Sequence, residues 1–207
     1  MTKLQNPYLD EVLRIEPRIT INRQARYDFS DKLYSFRKEL VAKFSWAIPN
    51  DEAIHAIKTL VEQNKLAGLI EIGAGSGYWA WMLEQVSVNT IPIDSFDWEI
   101  HRNVKHWVPI IHGGPSEAAL HSNRALFLCW PPIDEMGLRA LECFAGEWVV
   151  LVGENEGGCT GTDEMWEKLS SDFDLVSEHN LHQFPGIYDH LMLYKRKPFV
   201  SASPPSV

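Results

Sequence analysis

The chain of 207 residues is long for one average domain and short for two, and an apolar fraction of 45% is enough for a sizeable core. A net charge of −9 argues against non-specific binding to nucleic acid, which depends on cationic phosphate contacts. Three cysteines (Cys129, Cys143, Cys159) form no C-x-x-C pair and no even disulfide framework. With a charged N-terminus lacking an apolar stretch, and no run of the ~18 apolar residues that a membrane span needs, they lead to the expectation of a soluble, cytoplasmic protein without membrane partners. The charge is uneven. Residues 1–45 hold nine Lys/Arg against six Asp/Glu, a bias that either meets an anionic substrate or marks a solvated helix face.

In chain order, residues 1–28 mix Arg, Pro and Asn without clear periodicity and read as an arm. From Ser30, as N-cap, Leu33, Phe36, Leu40 and Phe44 form one helical stripe that "SWAIPN" breaks at Pro49. Asn50 and Asp51 start a second helix with Ile54, Ile57 and Val61 on one face, ending near 64–68. Strands then alternate with helices: strand 69–72, helix 78–86, strand 89–94, strand 106–112, a short helix near "SEAAL", strand 125–130, helix 134–143, strand 147–153 and a helix near 163–170. This rhythm predicts a parallel sheet wound in βαβ units, with helices on both faces. The ending differs. "DLVSEHNLHQF" and "DHLMLYKRK" are joined by "PGIY", too short for a crossover, so the two strands are antiparallel and one lies reversed at or beside the sheet edge. The expected division is a helical extension over 1–49, an α/β domain over 50–200 and a disordered tail over 201–207.

The loop in "LIEIGAGSGYW" (69–79) lets a ligand approach main chain without meeting a Cβ. A triphosphate loop requires Gly-Lys-Ser/Thr at the helix start, where this chain has Tyr78 and Trp79. A dinucleotide fingerprint requires a small third residue, where this chain has Tyr78. Glu71 precedes the first glycine by two residues, and no Lys or Arg lies between Lys65 and Arg102. A unit charge ~4 Å away is worth ~1 kcal/mol in water and ~4 kcal/mol at an effective dielectric of 20. That term opposes a pyrophosphate and favours a cationic, phosphate-free ligand.

"E-I-G-A-G-S-G" resembles the E/D-x-G-x-G-x-G motif of the class I S-adenosylmethionine-dependent methyltransferases, over roughly residues 50–197. The resemblance implies a Rossmann-like three-layer α/β sandwich, its mostly parallel seven-stranded sheet carrying one strand reversed by a C-terminal hairpin. It implies that Gly73, Ala74, Gly75 and Gly77 pack against the methionine and ribose part of the cofactor. Glu71 would orient the loop and the ammonium. Asp94, with Ser95 beside it, stands 17 residues beyond Gly77, where an acid takes the ribose hydroxyls. Gly114 to Ser116, with Pro115, would border the adenine; the alternative is a plain turn with Ser116 as N-cap.

"LFLCWPPI" is similar to the D/N/S-P-P-Y/F motif of exocyclic-amine methyltransferases. It departs at both ends, with Trp130 for the polar residue and Ile133 for the aromatic, which puts a nucleobase target in doubt. Trp130 reads as a wall of the cofactor or substrate pocket, or as a core cap. Trp46, in "FSWAIPN", reads as a substrate contact in a segment that covers the cofactor in some relatives, or as a hydrophobic turn packed on the sheet. In "GENEGGCTG", Glu154 and Glu156 are candidate general bases, and Glu154 also a candidate for binding substrate. His179 and His182, on a predicted strand, face opposite sides, so no metal site is expected. The reading is a methyltransferase acting on a small-molecule or protein acceptor. Its alternatives are a non-catalytic module that binds S-adenosylmethionine and, behind both, a nicotinamide-dependent oxidoreductase.

Overall fold

The structure, a computed structural model, describes residues 3–20, 26–97 and 104–198; the tail expected at 201–207 lies outside the described residues. The elements, in order, are α1 (Pro7–Thr20), α2 (Arg26–Lys43), α3 (Asp51–Gln63), β1 (Leu69–Ile72), α4 (Tyr78–Glu84), β2 (Thr90–Asp94), β3 (Ile111–His112), a 3-10 helix (Pro115–Leu120), β4 (Ala125–Cys129), α5 (Glu135–Cys143), β5 (Trp148–Gly153), α6 (Asp163–Asp172), β6 (Phe173–Asn180) and β7 (His190–Arg196).

The strands form one seven-stranded sheet in the order β3-β2-β1-β4-β5-β7-β6. Strands β1 to β5 run parallel, and β7 lies antiparallel to both β5 and β6. The fold is thus the expected α/β doubly wound sandwich, with the reversed strand inserted beside the edge strand β6. Alternation along the strands divides the core in two. Leu69, Phe127 and Val150 face a layer with Phe44, Ile54, Ile57 and Trp79. Ile70, Ile72, Leu126 and Val149 face the opposite layer, with Ala140, Leu141, Met165 and Leu169 from α5 and α6.

Helix starts follow capping chemistry. The Asn50 side chain accepts from the Ala53 N–H, that of Asp134 from Met136 and that of Thr162 from Met165.

The structure corrects four local expectations. Residues 7–20, read as arm, form α1: Asn6 Oδ1 accepts from the Leu9 N–H, Pro7 opens the helix, and Tyr8 and Val12 are buried one turn apart. Helix α2 begins at Arg26, so Ser30 lies inside it rather than at its cap. The third strand shrinks from 106–112 to Ile111–His112. Its expected first half packs instead of pairing: the Trp107 N–H donates to Ser76 O, its ring stacks on Phe44, Val108 is buried, and Pro109 has no N–H to offer a ladder. Strand β6 stops at Asn180, so His182 stands beyond it, in an isolated bridge with Ile48.

Residues 4–48 contribute Tyr8, Val12, Leu40 and Phe44 to the same core layer as Ile54 and Phe127. Tyr8 stacks on Phe44 at 4.8 Å, and Tyr78 Oη donates to Asn6 Oδ1 while accepting from the Tyr8 N–H. Among the described residues, no helix is long and apolar enough to cross a membrane.

Candidate functional site

A cleft of about 700 Å³ opens at the carboxyl ends of β1, β2 and β4, within the size range of small-molecule sites. The glycine loop after β1 is its floor. Gly73, Gly75 and Gly77 all have left-handed backbone, with φ of 78°, 57° and 75°. At Gly77, the N-cap of α4, a Cβ would stand 2.7 Å from Val108 Cγ2, so the position rejects a side chain twice over, by conformation and by space. Gly73, Ala74 and Gly75 line the cleft; Gly77 lies behind them as the hinge into the helix.

Glu71 lines the same cleft while only 1% exposed. Its Oε2 is buried without a hydrogen-bond partner. Burial, and then the negative charge of Asp94, raise its pKa from 4.5 to about 8. Such a carboxyl is held neutral until a cation reaches it.

Asp94, at the end of β2, shapes the loop: Oδ2 accepts from the Gly75 N–H at 2.8 Å and Oδ1 from the Phe96 N–H at 2.6 Å. A carboxylate has about four acceptor sites, so about two remain for hydroxyl donors. Ser95, Gly114 and Pro115 line the same end. Gly114, not Ser116, precedes the 3-10 helix, with Pro115 first inside it and Ser116 in its body.

The opposite end belongs to β4. Two strand spacings of ~4.8 Å place the ends of β2 and β4 about 10 Å apart across β1. Trp130, directly after β4, adopts left-handed backbone (φ 53°), and its Nε1 donates to Asp189 Oδ1 at 2.7 Å. Trp46 stacks on Trp130, with ring centroids 5.2 Å apart and planes 15° apart. Both line the cleft. The Trp46 turn is pinned: Ser45 Oγ donates to Ala47 O at 2.6 Å across it, and just before it Ser76 Oγ donates to Phe44 O and Trp107 Nε1 to Lys43 O at 2.8 Å.

The expected carboxylates after β5 take another position. Glu154 is buried away from the cleft lining, Oε2 accepting from the Cys159 N–H at 2.8 Å and Oε1 from the Tyr188 N–H at 3.0 Å. It clamps two loops, which leaves it poorly placed as a base or as a substrate contact. Glu156 is exposed and outside the lining.

Asp189 and Arg37 escaped the sequence reading. Burial raises the Asp189 pKa to about 7, against the lowering effects of the Trp130 bond and the Arg37 charge. A signal existed: β7 is reversed, so the residue before its start lies at the edge where the parallel strands end, and Gly153 pairs with His190. For Arg37 the pointer was only the basic bias of residues 1–45.

No family model matches the chain, and no curated protein matches it. Among solved structures, it is similar to magnesium protoporphyrin IX methyltransferase from Synechocystis PCC 6803 with bound SAH, at 9% identity over 85% of this chain and 96% of that one, TM-score 0.49. It is also similar to the N-methyltransferase NodS from Bradyrhizobium japonicum WM9 in complex with S-adenosyl-L-homocysteine, at 14% identity over 71% of this chain and 87% of that one, TM-score 0.47. Both likenesses are remote.

Proposed function

We propose that the cleft binds S-adenosylmethionine and that the chain is a methyltransferase. The observation that carries this reading is the buried, unpartnered Oε2 of Glu71 beside an open glycine loop. An orphaned carboxyl oxygen costs about 1–3 kcal/mol; an ammonium group removes that deficit and favours the ionised acid, whereas a pyrophosphate would require the acid to stay protonated. Gly73 to Gly75 offer main chain to the sulfur-bearing chain, and Asp94 offers its free acceptor sites to the ribose diol. Ser95, Gly114 and Pro115 border the base. When bound, the cofactor supplies a methyl group on a sulfonium, already activated for transfer to a nucleophile.

The chain then has two tasks: to hold the acceptor in line, and to keep water out. Trp46 and Trp130 form an apolar wall suited to both. Trp130 is held by its bond to Asp189, and Trp46 by the pinned turn at 44–47. Glu71 releases its proton to solvent as the ammonium docks. With Glu154 engaged in its clamp, the reading requires no carboxylate base after β5. It suits acceptors that ionise or lose their proton to water.

Calorimetric titration tests the assignment. S-adenosylhomocysteine should bind saturably and NADH should not. The reverse result would transfer the site to nicotinamide chemistry. Transfer of a labelled methyl group from the cofactor into a lysate pool would separate an enzyme from a binding module.

A further inference from the structure

Arg37 stands on α2, with its guanidinium carbon 5.2 Å from the Trp130 ring centroid, 5.4 Å from that of Trp46 and 5.8 Å from that of Phe184. The ring faces balance part of its charge. They do nothing for its in-plane donors: Nε and Nη2 are buried with no hydrogen-bond partner. Tyr8 Oη is a third buried atom without a partner. Arg37 is the first charge felt by the Tyr8 hydroxyl after burial itself, with Asp189 and Cys129 following. Burial keeps that hydroxyl protonated, and it is thus a donor as well. The same guanidinium is felt at Cys159, which lines the cleft. At the edge of the Trp46–Trp130 pair, just outside the cleft lining, there are therefore buried donors that have no hydrogen-bond partner.

We propose that these donors bind the carboxylate of a planar, monoanionic methyl acceptor, whose ring lies against Trp46 and Trp130 while its carboxylate meets Arg37. The proposal deepens, and rests on, the methyltransferase reading. The planar fork of N–H donors on a guanidinium matches a carboxylate. The acidic neighbours Asp189 and Glu154 select one negative charge over two, which disfavours a phosphate dianion. The basic bias of residues 1–45 then has a specific use: it brings the cation from α2 to the end of β4, where the transferred group would arrive.

The test is calorimetric titration of the full chain with 2-naphthoate and with its neutral counterpart 2-naphthamide, both at saturating S-adenosylhomocysteine. The naphthoate should bind at least about tenfold more tightly, as expected for a charge-assisted pair. Arg37→Met should bring it down to the level of the amide, and Arg37→Lys should restore part of the difference. Thermal melts and S-adenosylhomocysteine affinity report whether each variant is folded. Equal affinities for the two probes, no saturable binding of the naphthoate, or binding unaffected in Arg37→Met would overturn the proposal. If S-adenosylhomocysteine itself fails to bind, the cofactor reading falls, and the naphthoate titrations repeated without it still decide the Arg37 site.

Discussion

The indole Nε1 of Trp130 donates to Asp189 Oδ1 at 2.7 Å, joining the residue after β4 to the residue before β7. One bond thereby fixes the aromatic wall of the cleft to the reversed strand. The acid is 2% exposed and its pKa is about 7, mainly through burial. Between about pH 4 and 7 the folded chain holds a proton that the unfolded chain has lost, so stability falls as pH rises through that window, by up to ~1.4 kcal/mol per unit. Asp189→Asn cannot ionise. Its melting temperature relative to wild type should climb from pH 4 to 7 and level off above. A difference flat across that range would contradict the assignment.

Glu71 gives a second titration with the same sign. Its pKa is raised to about 8, so its contribution to stability is complete below about 4.5 and lost as pH rises through 8. Without ligand, Glu71→Gln should melt above wild type at pH 8.5 and close to it at pH 4.5. With S-adenosylhomocysteine at pH 7, wild type should release close to one proton, measured by calorimetry in buffers of different ionisation enthalpy, and Glu71→Gln none.

Two glycines, Gly114 in the cleft lining and Gly77 behind it, should separate sharply. Gly77→Ala meets Val108 Cγ2 at 2.7 Å in left-handed backbone, and should cost about 1–3 kcal/mol, read as a drop in melting temperature. Gly114→Ala meets nothing within 4 Å and has φ of −142°, so its stability should stay within about 0.5 kcal/mol of wild type.

The pinned turn predicts a local effect. Ser76→Ala removes the donor to Phe44 O, at a cost of about 1 kcal/mol. Amides of residues 44–48 should exchange faster, while those of β4 and β5 keep their protection.

Much of the scaffold was legible along the chain because its signals are local. Alternating apolar runs marked β1, β2, β4 and β5 within a residue or two, Asn50 marked the start of α3, and the short link before Asp189 required an antiparallel hairpin. The glycine loop with Glu71 was legible for the same reason: backbone freedom and charge are properties of adjacent residues. Helix α1 was hidden because Arg and Glu interrupt its stripe, although Asn6-Pro7 carried a start signal. The false half of β3 was apolar for packing on Phe44 and Tyr78, and composition cannot distinguish packing from pairing.

By itself, then, the sequence determined an α/β sheet with a reversed strand and a glycine loop led by an acid, because periodicity, turn chemistry and local charge act over a few residues. Only the tertiary structure decided which acids are available: it engaged both Glu154 oxygens with backbone N–H groups and left one oxygen of Glu71 bare. It also carried Arg37 and Asp189, 152 positions apart, to the ring and to the Nε1 edge of Trp130. Burial and partner supply depend on chain segments meeting in space, and no spacing along the chain encodes them.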